Sequence, residues 1–202
     1  TGLYNNGNDG GYFDNFIVMG SAGDTNEENV FFSDAFEGDT IKTDWEFIRG
    51  TWTLSDGAMR QTDNYWEGDY PHSGGVFALV GNTSMRDYTV SADIRSDDDD
   101  RMGLVFRFQD EENFYAFSWD RELNERALVR VHQGKEDVLM SDTVLYDPGT
   151  WYAVRITLEG NRIRCAIDGI NVFDITDDAI QSGKTGLYNN GNDGGYFDNF
   201  IV

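Results

Sequence analysis

The chain has 202 residues, of which 39% are hydrophobic and 14% aromatic, and this is enough apolar material for a packed core. Its 37 acidic residues against 15 basic ones give a net charge of -22 at pH 7. A surface with this charge repels phosphate groups and attracts cations, so nucleic acid and anionic membranes are excluded as partners. The sequence has no apolar stretch long enough to cross a bilayer, and membrane insertion is not expected.

The first eighteen residues, TGLYNNGNDGGYFDNFIV, recur unchanged at 185–202. Chance does not produce an identity of this length, so the chain holds a true duplication. Residues 19–30 are small, polar and acidic, and we interpret them as a linker. We therefore predict a domain over 31–202 that ends in its own copy of the segment, with residues 1–18 as the terminal strand segment of a preceding repeat. An artificial duplication of one terminal segment is the alternative.

Strand patterns dominate the predicted domain. Period-two alternation, or enrichment in β-branched and aromatic residues, marks YTVSADIRS, MGLVFRFQ, NFYAFSW, RALVRVHQ, WYAVRITLE, NRIRCAI and INVFDIT. Turn sequences such as SDG, DPG and IDG separate these stretches. No segment has helical periodicity, so the predicted fold class is all-β, a two-sheet antiparallel sandwich. Cys165 shares a strand face with Ile163 and Ile167, and we expect its thiol in the core.

The duplicated segment raises a competition for one place in the sandwich. An unpaired copy exposes aromatic residues and a strand edge, which favours association. We therefore predict head-to-tail contact with neighbouring copies of the chain through strand donation or domain swapping. The sandwich is completed either by residues 1–18 or by residues 185–202, and the sequence leaves both arrangements open.

The order of several motifs carries a family resemblance. The stretches FSDAFEGD, GTWTLSDGAM, MGLVFRFQDEENFYAFSW, WYAVRITLEGNRIRCAIDGINVF and the closing TGLYNNGNDGGYFDNFIV follow one another in the chain. This order resembles the concanavalin-like, laminin-G-like jelly-roll superfamily, and DDDDRMGLVFRFQDEENFYAFSWDR is most similar to the lectin-like C-terminal domain of thrombospondins. The resemblance implies a jelly-roll sandwich, whereas the ligand has to be argued from sites.

Two acidic loops are candidate calcium sites. The run SDDDD at 96–100 concentrates negative charge that a divalent cation would stabilise, and the thrombospondin resemblance implies that three of these aspartates ligate calcium. The loop NDGGYFDN at 192–199 offers hard oxygen ligands, which suit calcium and not zinc. A solvated acidic loop and an Asn-Gly hairpin turn are the respective alternatives.

The candidate calcium ligands fall into four groups. They are Asp98, Asp99 and Asp100 in the acidic run, Asp193 and Asp198 in the second loop, Asp34 and Glu37 near the first strand as partners of Asp198, and Asp9 and Asp14 in the N-terminal copy.

Two groups of aromatic and arginine residues are candidates for carbohydrate binding. The loop at 61–75 is rich in aromatic residues, which stack on sugars or partners when exposed and otherwise cap one end of the sandwich. Residues of shared strand parity provide a second possible patch. The candidates are Tyr65, Trp66 and Tyr70 in the loop, and Arg95, Arg107, Arg130, Tyr115 and Trp119 on the strands.

Catalytic motifs are absent from the sequence, which has two histidines and neither G-x-S-x-G nor H-E-x-x-H. Paired carboxylates are the remaining possibility, and none has the arrangement of a hydrolase, so we predict that the protein is not an enzyme. The leading hypothesis is an extracellular, calcium-stabilised structural or adhesive repeat of a tandem-repeat surface or filament protein. The alternative is a carbohydrate-binding, lectin-like module with glycans as partners.

Overall fold

The computed structural model describes residues 29–65 and 74–202. Fifteen strands and no helix lie in these ranges, which confirms the all-β prediction. In chain order they are β1 (Ser33–Asp34), β2 (Glu46–Ile48), β3 (Trp52–Ser55), β4 (Ala58–Gln61), β5 (Val76–Val80), β6 (Thr89–Ser96), β7 (Arg101–Asp110), β8 (Asn113–Asp120), β9 (Glu125–His132), β10 (Lys135–Asp142), β11 (Tyr152–Glu159), β12 (Arg162–Ile167), β13 (Ile170–Thr176), β14 (Lys184–Asn190) and β15 (Gly195–Ile201). None of the described residues belongs to a helix that could span a membrane.

The strands form two antiparallel sheets. The eight-stranded sheet has the order β13-β12-β11-β6-β15-β4-β3, and β1 pairs with the end of β15. The seven-stranded sheet has the order β10-β9-β8-β7-β14-β5-β2. The predicted two-sheet antiparallel sandwich is thereby confirmed.

Alternation explains how the sheets enclose a core. In β6 the side chains of Val90, Ala92 and Ile94 are buried, and the residues between them are only half-buried. Side chains from the facing seven-stranded sheet, such as Leu104 and Phe117, belong to the same core. Cys165 is fully buried in this core, as the sequence predicts.

A second apolar group lies on the other face of the seven-stranded sheet. In β7 and β8, Leu104 and Phe117 belong to the interior core, whereas Val105 and Ala116 alternate with them and point outward. The outer cluster consists of Phe77, Leu79, Val105, Phe108, Phe114, Ala116, Val131 and Tyr188. These strands are therefore apolar on both faces.

The C-terminal copy of the duplicated segment closes the sandwich. Its strand β14 lies between β7 and β5, and its strand β15 lies between β6 and β4, so the segment supplies a central strand to each sheet. Its last residue meets the start of the domain, where the Phe31 N–H donates to the Val202 carbonyl at 2.7 Å. Residues 1–18 and most of the predicted linker, 19–28, lie outside the described residues.

Candidate functional site

A row of polar side chains crosses the outer face of the seven-stranded sheet. Asn190 on β14 pairs with Arg101 on β7, and the Arg101 guanidinium donates to the Asp120 carboxylate on β8 at 2.8 Å. The three residues alternate with core residues in their strands, and therefore lie on the same side as the outer cluster. Their exposed fractions are only 2% for Asn190, 3% for Arg101 and 4% for Asp120. We call these three residues the polar row.

Several polar atoms of the row and of adjacent Ser118 have no hydrogen-bond partner within the described part of the chain. They are the Arg101 Nε, the Ser118 Oγ, and both the Oδ1 and the Nδ2 of Asn190. A buried polar atom without a partner costs about 1–3 kcal/mol. The polar row is therefore a buried group of donors and acceptors with incomplete hydrogen bonding inside the described part of the chain.

The floor beside the polar row is made of small residues. Across β9, β8 and β7, Ala127 pairs with Ser118 and Ser118 pairs with Gly103. A Cβ atom at Gly103 would lie 1.8 Å from the Phe117 carbonyl oxygen, so only glycine fits there. This part of the outer face is therefore lined by small side chains.

An aromatic wall borders this floor. Tyr188 pairs with Gly103 on one side and with Phe77 on the other, and the two aromatic rings stack with centroids 5.5 Å apart. The Tyr188 hydroxyl donates to the Gly74 carbonyl, and burial raises the pKa of Tyr188 to about 12, so the phenol is neutral at physiological pH. The ring is thus fixed within the outer cluster by stacking and by its hydrogen bond.

The predicted acidic loops meet at the end of the sandwich next to the polar row. Carboxylate oxygens of Asp98, Asp99 and Asp100 lie within 4.8 Å of one another. The second loop joins them, because the Asp193 N–H donates to the Asp98 Oδ2 at 3.2 Å and the Asn192 side chain donates to the Asp100 carbonyl at 2.9 Å. The two candidate calcium loops are thus parts of one acidic cluster.

Asp100 is the most perturbed carboxyl of this cluster. Burial, followed by the negative charges of Asp98 and Glu122, raises the pKa of Asp100 from 3.8 to about 6. A divalent cation would offset this repulsion, and a set of carboxylate oxygens is the donor type that calcium prefers. The donor chemistry therefore fits calcium.

The structure does not bring the other predicted calcium pair together, because Asp34 and Asp198 point to opposite sides of their sheet. Asp34 is buried and accepts hydrogen bonds from the Phe36 N–H and the Trp45 indole. Asp198 alternates with buried Phe197 and therefore points outward. Glu37, which follows Phe36, is exposed. Asp9 and Asp14 lie outside the described residues.

The predicted arginine and aromatic residues do not form one surface. Tyr115 and Trp119 belong to the interior core, and the fully buried Arg107 donates to the Ile180 and Gly160 carbonyls. Arg130 forms ion pairs with Asp137 and Asp177. These side chains lie on the interior face of their sheet, where their polar groups bind other groups of the protein.

Arg95 lies apart from them, on the outer face of the eight-stranded sheet. Its guanidinium sits 4.2 Å from the Tyr196 ring centroid and 5.4 Å from that of Trp151. Tyr65 is half-buried beside Arg49, whose guanidinium lies 5.7 Å from its ring. Trp66 and Tyr70 fall outside the described residues.

Sequence reasoning missed Arg101, Ser118, Asp120 and Asn190. Each of them lies at an outward-facing position of its strand. The alternation with core residues such as Phe117 and Leu187 could therefore have predicted them as one group. Strand parity alone does not predict that β8, β7 and β14 are adjacent. Their adjacency follows from the order of strands in the sheet.

Comparisons with known proteins agree with this fold. Residues 32–202 match the family model of the 3-keto-alpha-glucoside-1,2-lyase-like domain, and the chain belongs to that family. No protein of curated function matches the sequence significantly.

Three solved structures show the same sandwich. The carbohydrate-binding module CBM66 from Bacillus subtilis is 23% identical with a TM-score of 0.66, over 78% of this chain and 94% of that one. A Bacillus subtilis protein of unknown function with a galectin-like fold is 11% identical with a TM-score of 0.62, over 85% of this chain and 94% of that one. The GH43 protein BlXynB from Bacillus licheniformis is 16% identical with a TM-score of 0.62, over 87% of this chain but only 39% of that one. These likenesses establish the fold, and the closer resemblance to thrombospondins stays a prediction.

Proposed function

We propose that this protein is a non-catalytic carbohydrate-binding module that holds a neutral glycan on the outer face of its seven-stranded sheet. The observation that carries the proposal is the polar row with its unpartnered atoms, which lies beside a floor of small residues on the same face. Hydroxyl groups of a sugar both donate and accept hydrogen bonds, so they complement the amide of Asn190 and the hydroxyl of Ser118. The fold shared with the carbohydrate-binding module CBM66 supports the same function.

The charge of the protein selects among glycans. The net charge of -22 opposes the approach of sulfated or uronate-rich chains. The guanidinium of Arg101, the cation of the row, is already paired with Asp120. A neutral oligosaccharide is therefore the expected ligand.

The proposed site is arranged for binding and not for catalysis. The Asp120 carboxylate accepts from Arg101 through one oxygen and from the Leu123 N–H through the other, each at 2.8 Å. Both carboxylate oxygens of Asp120 are therefore already engaged by donors of the protein. Because the family name describes a lyase acting on 3-keto-alpha-glucosides, such a substrate is the decisive probe. We expect no elimination product, and its appearance would overturn the non-catalytic assignment.

Glycan binding is tested with an array of neutral oligosaccharides followed by calorimetry on the best ligand. Asn190→Ala removes the side-chain amide from the polar row, so it should weaken binding about tenfold, the value of one well-placed hydrogen bond. Asn171→Ala is the matched control, because Asn171 is exposed on the eight-stranded sheet. A blank array, or equal affinity of the two variants, would refute the proposed site.

A structural or adhesive repeat is the second candidate function. The observation that favours it is the exact duplication of the closing segment at residues 1–18 and 185–202. It predicts head-to-tail association with neighbouring copies, measured by sedimentation velocity over a wide range of protein concentrations with calcium present. A chain that stays monomeric throughout contradicts this role.

A further inference from the structure

Alternating arginine and aromatic side chains cross the outer face of the eight-stranded sheet. Tyr196 on β15 pairs with Arg95 on β6 and with Arg60 on β4. Trp151, directly before β11, extends the row, because the register of β11 and β6 places it opposite Arg95. The Arg95 guanidinium lies between the rings of Tyr196 and Trp151, and the Arg60 guanidinium lies 5.1 Å from the Tyr196 ring centroid. We call these four residues the cation–π ladder.

Hydrogen bonds hold the cation–π ladder in place at its upper end. Arg95 donates to the Asp97 carboxylate at 2.8 Å, and Arg60 donates to the Asp193 carbonyl at 3.4 Å. A backbone hydrogen bond of 2.7 Å ties the turn before Trp151 to the end of β6. The indole is therefore held in one orientation before any ligand binds, which lowers the entropic cost of binding.

Trp151 is the exposed end of the cation–π ladder. Its side chain is 40% exposed, whereas the other three tryptophans in the described part of the chain are buried. It faces outward because the next residue, Tyr152, turns inward, where its ring packs 4.9 Å from the Trp119 ring. The outer face thus presents a flat apolar surface to solvent at a fixed position.

A hollow of ≈ 270 Å³ adjoins the cation–π ladder on the same face. Ala153 and Asp93 line it and pair across β11 and β6, two residues from the ladder in each strand. Ser91 and Asn199 also line it, and the Asn199 amide donates to the Asp93 Oδ2 at 2.9 Å. Successive outward-facing residues of a strand are about 7 Å apart, so one ligand can contact both the indole and the hollow.

We propose that the cation–π ladder and this hollow form a second carbohydrate site, which stacks a neutral sugar ring on Trp151 and places hydroxyl groups in the hollow. The guanidinium groups of Arg60 and Arg95 repel a cationic ligand, and the carboxylates of Asp93 and Asp97 repel an anionic one. A sugar ring is uncharged, has an apolar C–H face for the indole, and has hydroxyl groups that donate to carboxylates.

The second site changes what one chain can do with a polysaccharide. The outer faces of the two sheets point in opposite directions, so the second site and the polar row cannot bind the same short oligosaccharide. A chain with both sites joins two polysaccharide molecules. This consequence rests on the proposed function, whereas the second site itself does not.

Affinity electrophoresis of the full chain in gels that contain dextran, xylan or galactomannan tests the second site. Trp151→Ala should weaken retardation about fivefold, the value of one aromatic stacking contact, and Trp151→Phe should retain most of it. Phe47→Ala is the matched control, because Phe47 is 41% exposed at the far edge of the other sheet. Equal retardation of Trp151→Ala and Phe47→Ala, or no retardation of the native chain by any of the three polysaccharides, would overturn the second site.

Fluorescence of the native chain gives a readout that does not depend on how well a variant folds. Acrylamide should quench the part of the emission that Trp151→Phe removes, and the retarding polysaccharide should protect that part. Quenching that the polysaccharide leaves unchanged would contradict stacking on Trp151.

Asn190→Ala separates the two sites. If Asn190→Ala binds as the native chain does and Trp151→Ala loses its affinity, the polar row fails and the second site stands. The reverse result would overturn the second site and support the proposed function. With both sites present, the native chain should precipitate the retarding polysaccharide and either single variant should not. Precipitation that survives each substitution would refute the joining of two polysaccharide molecules through these sites.

Discussion

At the scale of single residues, Asp100 couples the acidic cluster to pH. Its folded-state pKa of about 6 lies above its ordinary value of 3.8, so the folded chain holds this proton more tightly than the unfolded chain. Stability from this group is present below pH 3.8 and is lost as the pH rises to about 6. At neutral pH the charged carboxylate therefore opposes folding.

Asp100→Asn should stabilise the protein at pH 7.5 by about 1 kcal/mol, a figure reduced for the partial exposure of the group. The gain should vanish at pH 4, where native Asp100 is largely protonated. Urea unfolding at the two pH values measures both differences. Glu112→Gln, which removes an exposed carboxylate of the β7–β8 turn, controls for the change in net charge. A gain that is equal at pH 4 and pH 7.5 would contradict this account.

At the scale of elements, the fold brings two loops together that are far apart in the chain. The Asp97 N–H donates to the Gly194 carbonyl at 3.0 Å, which joins the loop between β6 and β7 to the loop between β14 and β15. Tyr146 fixes the first loop from a third direction, because its hydroxyl lies 3.0 Å from the Asp98 carbonyl and 2.7 Å from that of Asp100. The loop that carries the aspartates is thus held by hydrogen bonds to two other loops of the chain.

Calcium binding at the acidic cluster stays a prediction. Millimolar calcium should raise the melting temperature by about 5 °C, because it binds the folded cluster and not the unfolded chain, and magnesium should do so less. Asp98→Asn with Asp100→Asn should abolish the shift. Asp198→Asn should retain it, because Asp198 pairs with Asp93 along β15 and is not part of the group formed by Asp98, Asp99 and Asp100. An unchanged melting temperature after chelation and calcium addition rules out the site.

The sequence predicts the strands better than it predicts which strands pair with one another in a sheet. Alternation in TVSADIRS identified β6 and its buried side chains, because period-two patterns follow directly from strand geometry. The same reasoning misassigned Tyr115 and Trp119 to a surface patch, because parity groups residues on one face without saying which face is buried. The polar row depends on the pairing of β8, β7 and β14, which is decided by the packing of the whole sandwich.

At the scale of the whole molecule, the chain contains two copies of the closing segment, and the sandwich has a position for only one of them. Exchange of one copy for the other in that place keeps every core contact, since the sequences are identical. The geometry permits the exchange within one chain. Residue 18 would take the position of Val202, which already contacts Phe31, and residues 19–30 would form a loop between two adjacent points.

We therefore expect the N-terminal copy to rescue damage to its twin. Leu187→Asp buries a charge in the core, a change that by itself exceeds about 4 kcal/mol and would unfold a chain with a single copy. The variant should nevertheless melt cooperatively as a monomer, within about 10 °C of the native chain, whereas Leu3→Asp with Leu187→Asp should be unfolded. Circular dichroism and sedimentation measure both. If Leu187→Asp alone is as disruptive as the double substitution, the N-terminal copy cannot enter the sandwich, and its identity to β14 and β15 has no structural use within the chain.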